Sequence, residues 1–171
     1  MAKLSPSPSP SSFSCGSHVV YPAHGVGKIK SIETHTIGEQ SFEMFVISFE
    51  KDRMTLRLPV PKAKSSGLRP VSTSKKMALA INGLKARGRV RRTMWNRRVQ
   101  EYEAKINSGD PVSLAEVVRE LYRSASQPTQ SYSERQVYQN ALHRLAGEIA
   151  AIESIDTEHA IQKVEQILEA A

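Results

Sequence analysis

The hydrophobic pattern of this chain changes once along its length, close to Pro59 and Pro61. Over residues 42–58 the apolar residues form short strand-like runs, and the last run alternates with arginine and threonine, as in a half-exposed strand. Proline has no amide hydrogen to donate to a sheet, so the two prolines end the β region. The apolar residues that follow recur at helical spacing. We therefore predict an α+β protein, with a β-domain over residues 13–65 and a helical domain over residues 66–171.

The β-domain is predicted to contain four or five short strands between His18 and Leu58. Gly38 marks one of the tight turns that join them. Short strands joined by tight turns favour a small antiparallel barrel over a strand–helix–strand unit. The Ser/Pro-rich residues 1–12 are predicted to form a disordered tail in front of this domain.

The helical domain is predicted to be a compact unit of five helices, each with a capping residue followed by apolar residues at helical spacing. The predicted caps are Ser72, Thr73 or Ser74 for the first helix, then Thr93, Asp110, Ser133 in a capping box with Gln136, and Thr157. Leu114, Val117, Val118 and Leu121 form the buried face of the third helix. Further along, Glu148, Glu153 and Asp156 are expected to face solvent.

Positive charge is concentrated in one block of the sequence. Between Asp52 and Glu101 there are 48 residues with 14 lysines and arginines and no acidic side chain. Since the whole chain carries +7, the rest of it carries −7. A basic run is often only a solvated surface, but helices stabilised by their own ion pairs mix the two signs at four-residue spacing. A block without acidic residues favours a polyanionic partner, and nucleic-acid phosphates fit it.

The only tryptophan, Trp95, lies within the densest part of this block. Trp95, Val99, Tyr102 and Ile106 recur at helical spacing, which favours a position in the core. The alternative is an aromatic side chain exposed beside Arg97 and Arg98, free to wedge against a base step in a minor groove. The periodicity alone leaves both interpretations open.

The sequence lacks the patterns of common catalytic and metal sites. It has no P-loop, no Gly-x-Gly-x-x-Gly motif and no pair of histidines at metal-binding spacing. We therefore expect no enzyme activity, no cofactor and no metal. No apolar run is long enough to span a membrane, and residues 1–12 lack the apolar core of a secretory signal. With Cys15 as the only cysteine, a reducing cytoplasm is the expected location.

Six short motifs are spread along the chain. They are V-V-Y-P-A-H-G-V-G at residues 19–27, I-E-T at 32–34, L-R-L-P at 56–59, W-N-R-R at 95–98, S-G-D at 108–110 and A-E-V-V-R-E-L at 115–121. In this order they resemble the CarD family of bacterial transcription regulators that bind RNA polymerase. The resemblance covers residues 13–169.

For the β-domain, the resemblance implies a Tudor-like or SH3-like barrel that binds the β subunit of RNA polymerase. In the family, exposed residues on the barrel strands make this contact. The resemblance assigns the contact to Arg57 in the L-R-L-P strand, together with His35 and Arg53.

For the helical domain, the resemblance identifies Trp95 with the wedge tryptophan of the family and so favours its exposure. It implies that Trp95 contacts promoter DNA at the upstream edge of the transcription bubble. Arg97 and Arg98, with Arg91 and Arg92 nearby, would hold the DNA backbone. The implied protein is a monomer that stabilises the open complex and associates with the nucleoid through the polymerase.

Two other functions are compatible with the residues themselves. An RNA- or ribosome-binding adaptor would use the same basic helical surface, but its Trp95 would be buried or stacked on an unpaired base. A protein-interaction module would turn the basic surface towards an acidic partner and have no measurable affinity for DNA. Preference for fork-junction DNA over structured RNA separates the first of these from the CarD-like function.

Overall fold

The computed structural model describes residues 13–63, 65–86, 93–123 and 130–171. The chain divides into two compact units, of which the first extends through Pro70 and the second is Val71–Ala171. Among these residues the strands lie in the first unit and five helices lie in the second, which confirms the predicted α+β class.

The strands of the first unit are β1 His18–Tyr21, β2 Gly25–Ile37, β3 Gln40–Phe49, β4 Met54–Pro59 and β5 Arg69–Pro70. They form one antiparallel sheet in the order β4-β3-β2-β1-β5, and a short helix, α1 Val60–Ala63, follows β4. Among the described residues the sheet is open, since β4 and β5 end it without pairing to each other. The predicted closed barrel is therefore not confirmed.

A bulge in β2 decides which of its residues share a face. Ile29 pairs with Ile47, but Ser31 pairs with Val46, so Lys30 is an extra residue in the ladder. Side chains alternate between faces, and one extra residue reverses the alternation beyond it. As a result Ile32, which pairs with Phe45, lies on the same face as Ile29, although residues three positions apart in a regular strand lie on opposite faces.

The core of the first unit lies on the face of Ile29 and Phe45. Its buried residues are Val19, Ile29, Phe45, Ile47, Phe49, Leu58, Val60, Ala63 and Leu68. Gly27 of β2 lies directly against this core, where a β-carbon would come within 2.6 Å of Ile47 Cγ2 and 2.8 Å of Phe49 Cε1. The second glycine of the V-V-Y-P-A-H-G-V-G motif therefore lets β2 approach the apolar side chains of β3.

The helices of the second unit are α2 Ser74–Leu84, α3 Trp95–Ser108, α4 Pro111–Leu121, α5 Tyr132–Glu153 and α6 Thr157–Ala170. Their buried faces form one core, which includes the predicted stripe of α4. Residues 87–92 and 124–129 lie outside the described residues, so the predicted count of five helices is not confirmed for the whole unit.

The predicted cap residues of α2 and α4 are present, whereas the predicted cap of α3 is wrong. Thr73 caps α2 by accepting a hydrogen bond from the Lys76 amide at 3.3 Å. Asp110 is the cap residue of α4, although its side chain accepts from the Ser113 hydroxyl at 3.1 Å and not from the backbone. Thr93 does not cap α3, because the helix begins one residue later, with Met94 as its cap residue and no side-chain hydrogen bond there.

The caps predicted for α5 and α6 are also wrong, by two residues and one residue. Ser131, not Ser133, caps α5 by accepting from the Glu134 amide at 3.2 Å. Asp156, not Thr157, caps α6 by accepting from the His159 amide at 2.8 Å. Both helices start in clusters of Ser, Thr and Asp, and all these residue types can cap.

The prediction for Glu148 is wrong, whereas Glu153 and Asp156 are exposed as expected. Glu148 is 1% exposed, and its Oε1 accepts a hydrogen bond from the Ser72 amide at 2.7 Å. A buried carboxylate needs such donors to offset its desolvation. The bond holds the segment that leads into α2 against α5.

Candidate protein and nucleic-acid interfaces

Two of the residues predicted to contact a protein lie together on the sheet. Arg57 of β4 and His35 of β2 are exposed on the face opposite the core, and both contact Glu33. Arg57 Nε lies 3.4 Å from Glu33 Oε2, and His35 Nε2 lies 2.9 Å from the same oxygen. The hydrogen bond from His35, with a smaller contribution from Arg57, lowers the pKa of Glu33 below its ordinary value. The carboxylate therefore fixes the direction of both side chains at neutral pH.

Two exposed apolar side chains lie on the same face as this charged group, towards the turn between β2 and β3. Phe42 pairs with His35 across the β2–β3 ladder, and Ile37 lies two pairs further towards the turn. Their exposed fractions are 37% and 72%. We call Glu33, His35, Ile37, Phe42 and Arg57 the outer sheet face. An exposed patch that combines apolar and charged side chains is typical of a protein interface.

Arg53 lies apart from this group. It is in the turn before β4, in the left-handed region with φ of 49°. It lies four positions before Arg57, which corresponds to roughly 13 Å along a strand. His35 pairs with Phe42 near the start of β3, whereas Met54, the residue after Arg53, pairs with Phe49 at the end of β3. The structure therefore brings together Arg57 and His35, but not Arg53.

Trp95 is the first residue of α3 and is partly buried against the core of the second unit. Its indole Nε1 donates to the Ser133 hydroxyl at 3.1 Å, and its ring centroid lies 6.2 Å from that of Tyr102. Trp95 is therefore neither a fully buried core residue nor a freely exposed one, because one side of the indole is held by the protein.

Arg98 contacts the same two rings. Its Cζ lies 5.6 Å from the Trp95 centroid and 5.7 Å from the Tyr102 centroid. Its Nη2 donates to the Tyr102 hydroxyl at 3.1 Å, and that hydroxyl donates to Glu120 Oε2 at 2.8 Å. Burial raises the pKa of Tyr102, which keeps its hydroxyl protonated for this second bond. We call Trp95, Arg98, Tyr102, Glu120 and Ser133 the tryptophan cluster.

The other predicted DNA-contacting residues lie differently. Arg97 is exposed, and so is Met94, which is 76% exposed, just before α3. Arg91 and Arg92 lie outside the described residues. The described part of the predicted DNA surface therefore contains one exposed arginine, Arg97, and one partly buried arginine, Arg98.

Six residues of these two groups have no functional role predicted from the sequence: Glu33, Ile37, Phe42, Tyr102, Glu120 and Ser133. Glu33 is two residues from His35 in a strand, a spacing that signals a shared face. Tyr102 was assigned to the buried stripe only, Glu120 is part of the A-E-V-V-R-E-L motif, and Ser133 was assigned as a cap. Ser133 lies 38 positions from Trp95 in the sequence. No local pattern reveals a contact over that distance.

The described residues hold neither a membrane-spanning helix nor a cluster of metal ligands. No described helix is both long and apolar enough to cross a membrane. Within the described ranges, no three His, Cys, Asp or Glu side chains are grouped as they would be around a metal ion.

Both units match known families. Residues 13–72 match the family described as CarD-like/TRCF RID domain, and residues 80–165 match the family described as CarD, C-terminal domain. The chain is also similar to a Bacillus subtilis (strain 168) protein named "Putative transcription factor YdeB". The two are 31% identical over 143 residues, which span 84% of this chain and 94% of the relative. With both domains matched in order, the chain belongs to the CarD family.

Proposed function

We propose that this protein is a transcription regulator that binds the β subunit of RNA polymerase through its first unit and promoter DNA through its second. The observation that carries the proposal is the match of both units, in order, to the two CarD families. The printed name of the Bacillus subtilis relative, a transcription factor, supports the same function. The protein acts as a monomer, in the bacterial cytoplasm, and needs neither a cofactor nor a catalytic step.

The outer sheet face is the proposed polymerase-binding surface. Arginine is a frequent centre of protein interfaces, because its long side chain packs against apolar groups while its planar head forms directed hydrogen bonds. Arg57 has this setting, with Phe42 and Ile37 exposed on the same face. His35 and Glu33 orient it. Arg53 is at most a peripheral contact in this arrangement.

The start of α3 is the proposed DNA-binding surface. Trp95 contacts the minor groove at the upstream edge of the transcription bubble, where a base step is already distorted. Apolar side chains are known to wedge between base steps in this way. Arg97, Arg98, Arg91 and Arg92 supply positive charge beside it, which favours binding to phosphates irrespective of sequence.

The two surfaces act together on the equilibrium between closed and open promoter. Binding to the polymerase raises the effective concentration of the second unit at the promoter to about millimolar. Since the wedge contact requires distorted DNA, it stabilises the open state and not the closed one. A tenfold longer open-complex lifetime corresponds to about 1.4 kcal/mol of such differential binding.

The test is the lifetime of the open complex formed by the matching polymerase at a ribosomal-RNA promoter. Wild type should lengthen the lifetime, and both Trp95→Ala and Arg57→Glu should abolish the effect. Two controls make similar changes elsewhere: Leu79→Ala on the exposed side of α2 and Lys62→Glu on α1, and both should behave like wild type.

The proposal is wrong if wild type has no effect on the lifetime, or if Trp95→Ala lengthens it as much as wild type does. In that case an RNA- or ribosome-binding adaptor becomes the better interpretation. Tighter binding to structured RNA than to fork-junction DNA would then identify it.

A further inference from the structure

The two adjacent arginines of the W-N-R-R motif have different environments. Successive residues of an α-helix point about 100° apart, so Arg97 and Arg98 face different directions. Arg97 is exposed, whereas Arg98 is partly buried over the rings of Trp95 and Tyr102. Both rings lie within the range of roughly 6 Å over which a guanidinium is attracted to an aromatic face.

The guanidinium of Arg98 is also held by a chain of hydrogen bonds. It donates to the Tyr102 hydroxyl, which donates to Glu120. Tyr102 is 1% exposed and Glu120 is 9% exposed, so solvent scarcely competes for these bonds. The chain joins α3 to α4 and places a positive charge near a buried carboxylate. It therefore gives Arg98 one preferred position.

That position turns one edge of the Arg98 guanidinium towards the protein interior. Nε and Nη2 share one of the two edges of the guanidinium that can bind two oxygens side by side. Here Nη2 is bonded to Tyr102, and Nε is buried with no hydrogen-bond partner among the described residues. The Nε/Nη2 edge thus points into the protein, and Nη2, which the other edge also needs, is already bonded to Tyr102.

The same geometry fixes the indole. Ser133 holds the Nε1 atom of Trp95 from the start of α5, and Arg98 and Tyr102 lie against its ring. A side chain that is ordered before binding does not lose its freedom on binding, and this saving corresponds to about two- to tenfold in affinity.

We propose that Arg98 is a positioning residue for Trp95: it holds the indole in its DNA-binding orientation, and Arg97 makes the phosphate contact. This rests on the proposed function for the role of Trp95 in DNA binding. The orientation of the indole in the free protein does not depend on it.

The first test uses the free protein and the fluorescence of Trp95, the only tryptophan. Arg98→Lys keeps the charge but loses the flat group that covers the rings. It should increase the rate at which acrylamide quenches Trp95 and lower the fluorescence anisotropy. Tyr102→Phe, which keeps the ring and removes only the hydroxyl, should change both quantities in the same direction. The matched control Arg97→Lys should leave both unchanged.

The second test measures half-maximal binding to polymerase on a fork-junction promoter fragment at several salt concentrations. Arg97→Gln should reduce the slope of log affinity against log salt by about 0.9, because one phosphate contact is lost. Arg98→Gln should weaken binding by about two- to tenfold and leave the slope unchanged. Circular dichroism of each variant checks that it is folded.

Two results overturn the inference. The first is that acrylamide quenches Trp95 at the wild-type rate in both Arg98→Lys and Tyr102→Phe. The other is a fall in salt slope for Arg98→Gln as large as that for Arg97→Gln, which identifies Arg98 as a phosphate contact. If quenching changes as expected but Trp95→Ala leaves the open-complex lifetime unaltered, the proposed function fails and the positioning of Trp95 by Arg98 stands.

Discussion

Gly27→Ala should destabilise the first unit, although the change adds only one methyl group. The new carbon would lie 2.6 Å from Ile47 Cγ2 and 2.8 Å from Phe49 Cε1, whereas carbon atoms in contact are normally about 3.5–4.0 Å apart. Ile47 is 0% exposed and Phe49 is 1% exposed, so neither has space into which to move. Overfilling a packed core costs about 1–3 kcal/mol. Restricting the unfolded chain by a glycine-to-alanine change offsets about 0.4–1 kcal/mol of this.

From the middle of both ranges the expected net loss is about 1.3 kcal/mol, which corresponds to a fall of several degrees in melting temperature for a unit of this size. Calorimetry of the full chain measures it, and amide hydrogen exchange should locate the loss in β2 and β3. The fluorescence of Trp95, in the other unit, should not change at room temperature. A double-mutant cycle with Ile47→Ala is the control. The double variant should lose less stability than the two single variants lose together, because Ile47→Ala makes room for the new methyl group. A Gly27→Ala protein as stable as wild type, or more stable, would refute the close-packing explanation of this glycine.

Three further predictions concern the second unit. Glu148→Leu should lower the free energy of unfolding of this unit by about 1.5–3 kcal/mol, because the Ser72 amide loses a buried carboxylate acceptor. Urea denaturation followed by Trp95 fluorescence measures this loss, and the control Glu148→Gln should lose less stability. Equal stability of the leucine variant and wild type would contradict the prediction. Ser131→Ala should lower the free energy of unfolding by about 1 kcal/mol, because α5 loses its cap. Ser133→Ala should instead shift the emission maximum of Trp95, because the indole loses its hydrogen-bond acceptor. A loss of stability in Ser133→Ala and a shifted emission maximum in Ser131→Ala would identify Ser133 as the cap. The hydrogen bond from the His159 amide, with a smaller contribution from the His159 side chain, lowers the pKa of Asp156 below its ordinary value of 3.8. The stabilising effect of this cap is therefore complete above pH 3.8, and it is lost as the pH falls through the lower pKa that Asp156 has in the folded protein. Hydrogen exchange at the start of α6 should show this loss in wild type and not in Asp156→Asn, and equal acid sensitivity of the two proteins would count against it.

Local pattern predicted the elements of the first unit better than their arrangement. The alternation that predicted β4 is borne out, since Leu58 is buried and Arg57 beside it is exposed. The bulge at Lys30 has no local signal, yet it decides that Glu33 and His35 share a face with Arg57. The pairing of β5 with β1 joins residues about fifty positions apart. Such pairings depend on contacts across the whole sheet, which no window of sequence contains.

Capping residues in the second unit show a different limit. Helical spacing predicted the buried face of α4, because burial follows the period of the helix. At the start of α5, however, Ser131 and Ser133 are chemically equivalent candidates. Only the place where the chain turns into the helix decides between them. Glu148 is a related case, since the donor that makes its burial tolerable lies 76 positions away.

Trp95 is held by a residue far away in the sequence, as Glu148 is. The two interpretations of its helical spacing, a position in the core and exposure to a partner, do not exclude each other. The helical stripe was right that the indole packs against the core, and partial burial still leaves part of it for a partner. What neither periodicity nor charge could predict is the set of side chains that hold it, because Ser133 and Glu120 come from other helices. In the proposed function Trp95 contacts a base step that is already distorted, and an indole that is held in one orientation beforehand loses less conformational freedom on binding than a free one. An indole that is packed on one side and open on another is therefore better suited to this task than a fully exposed one.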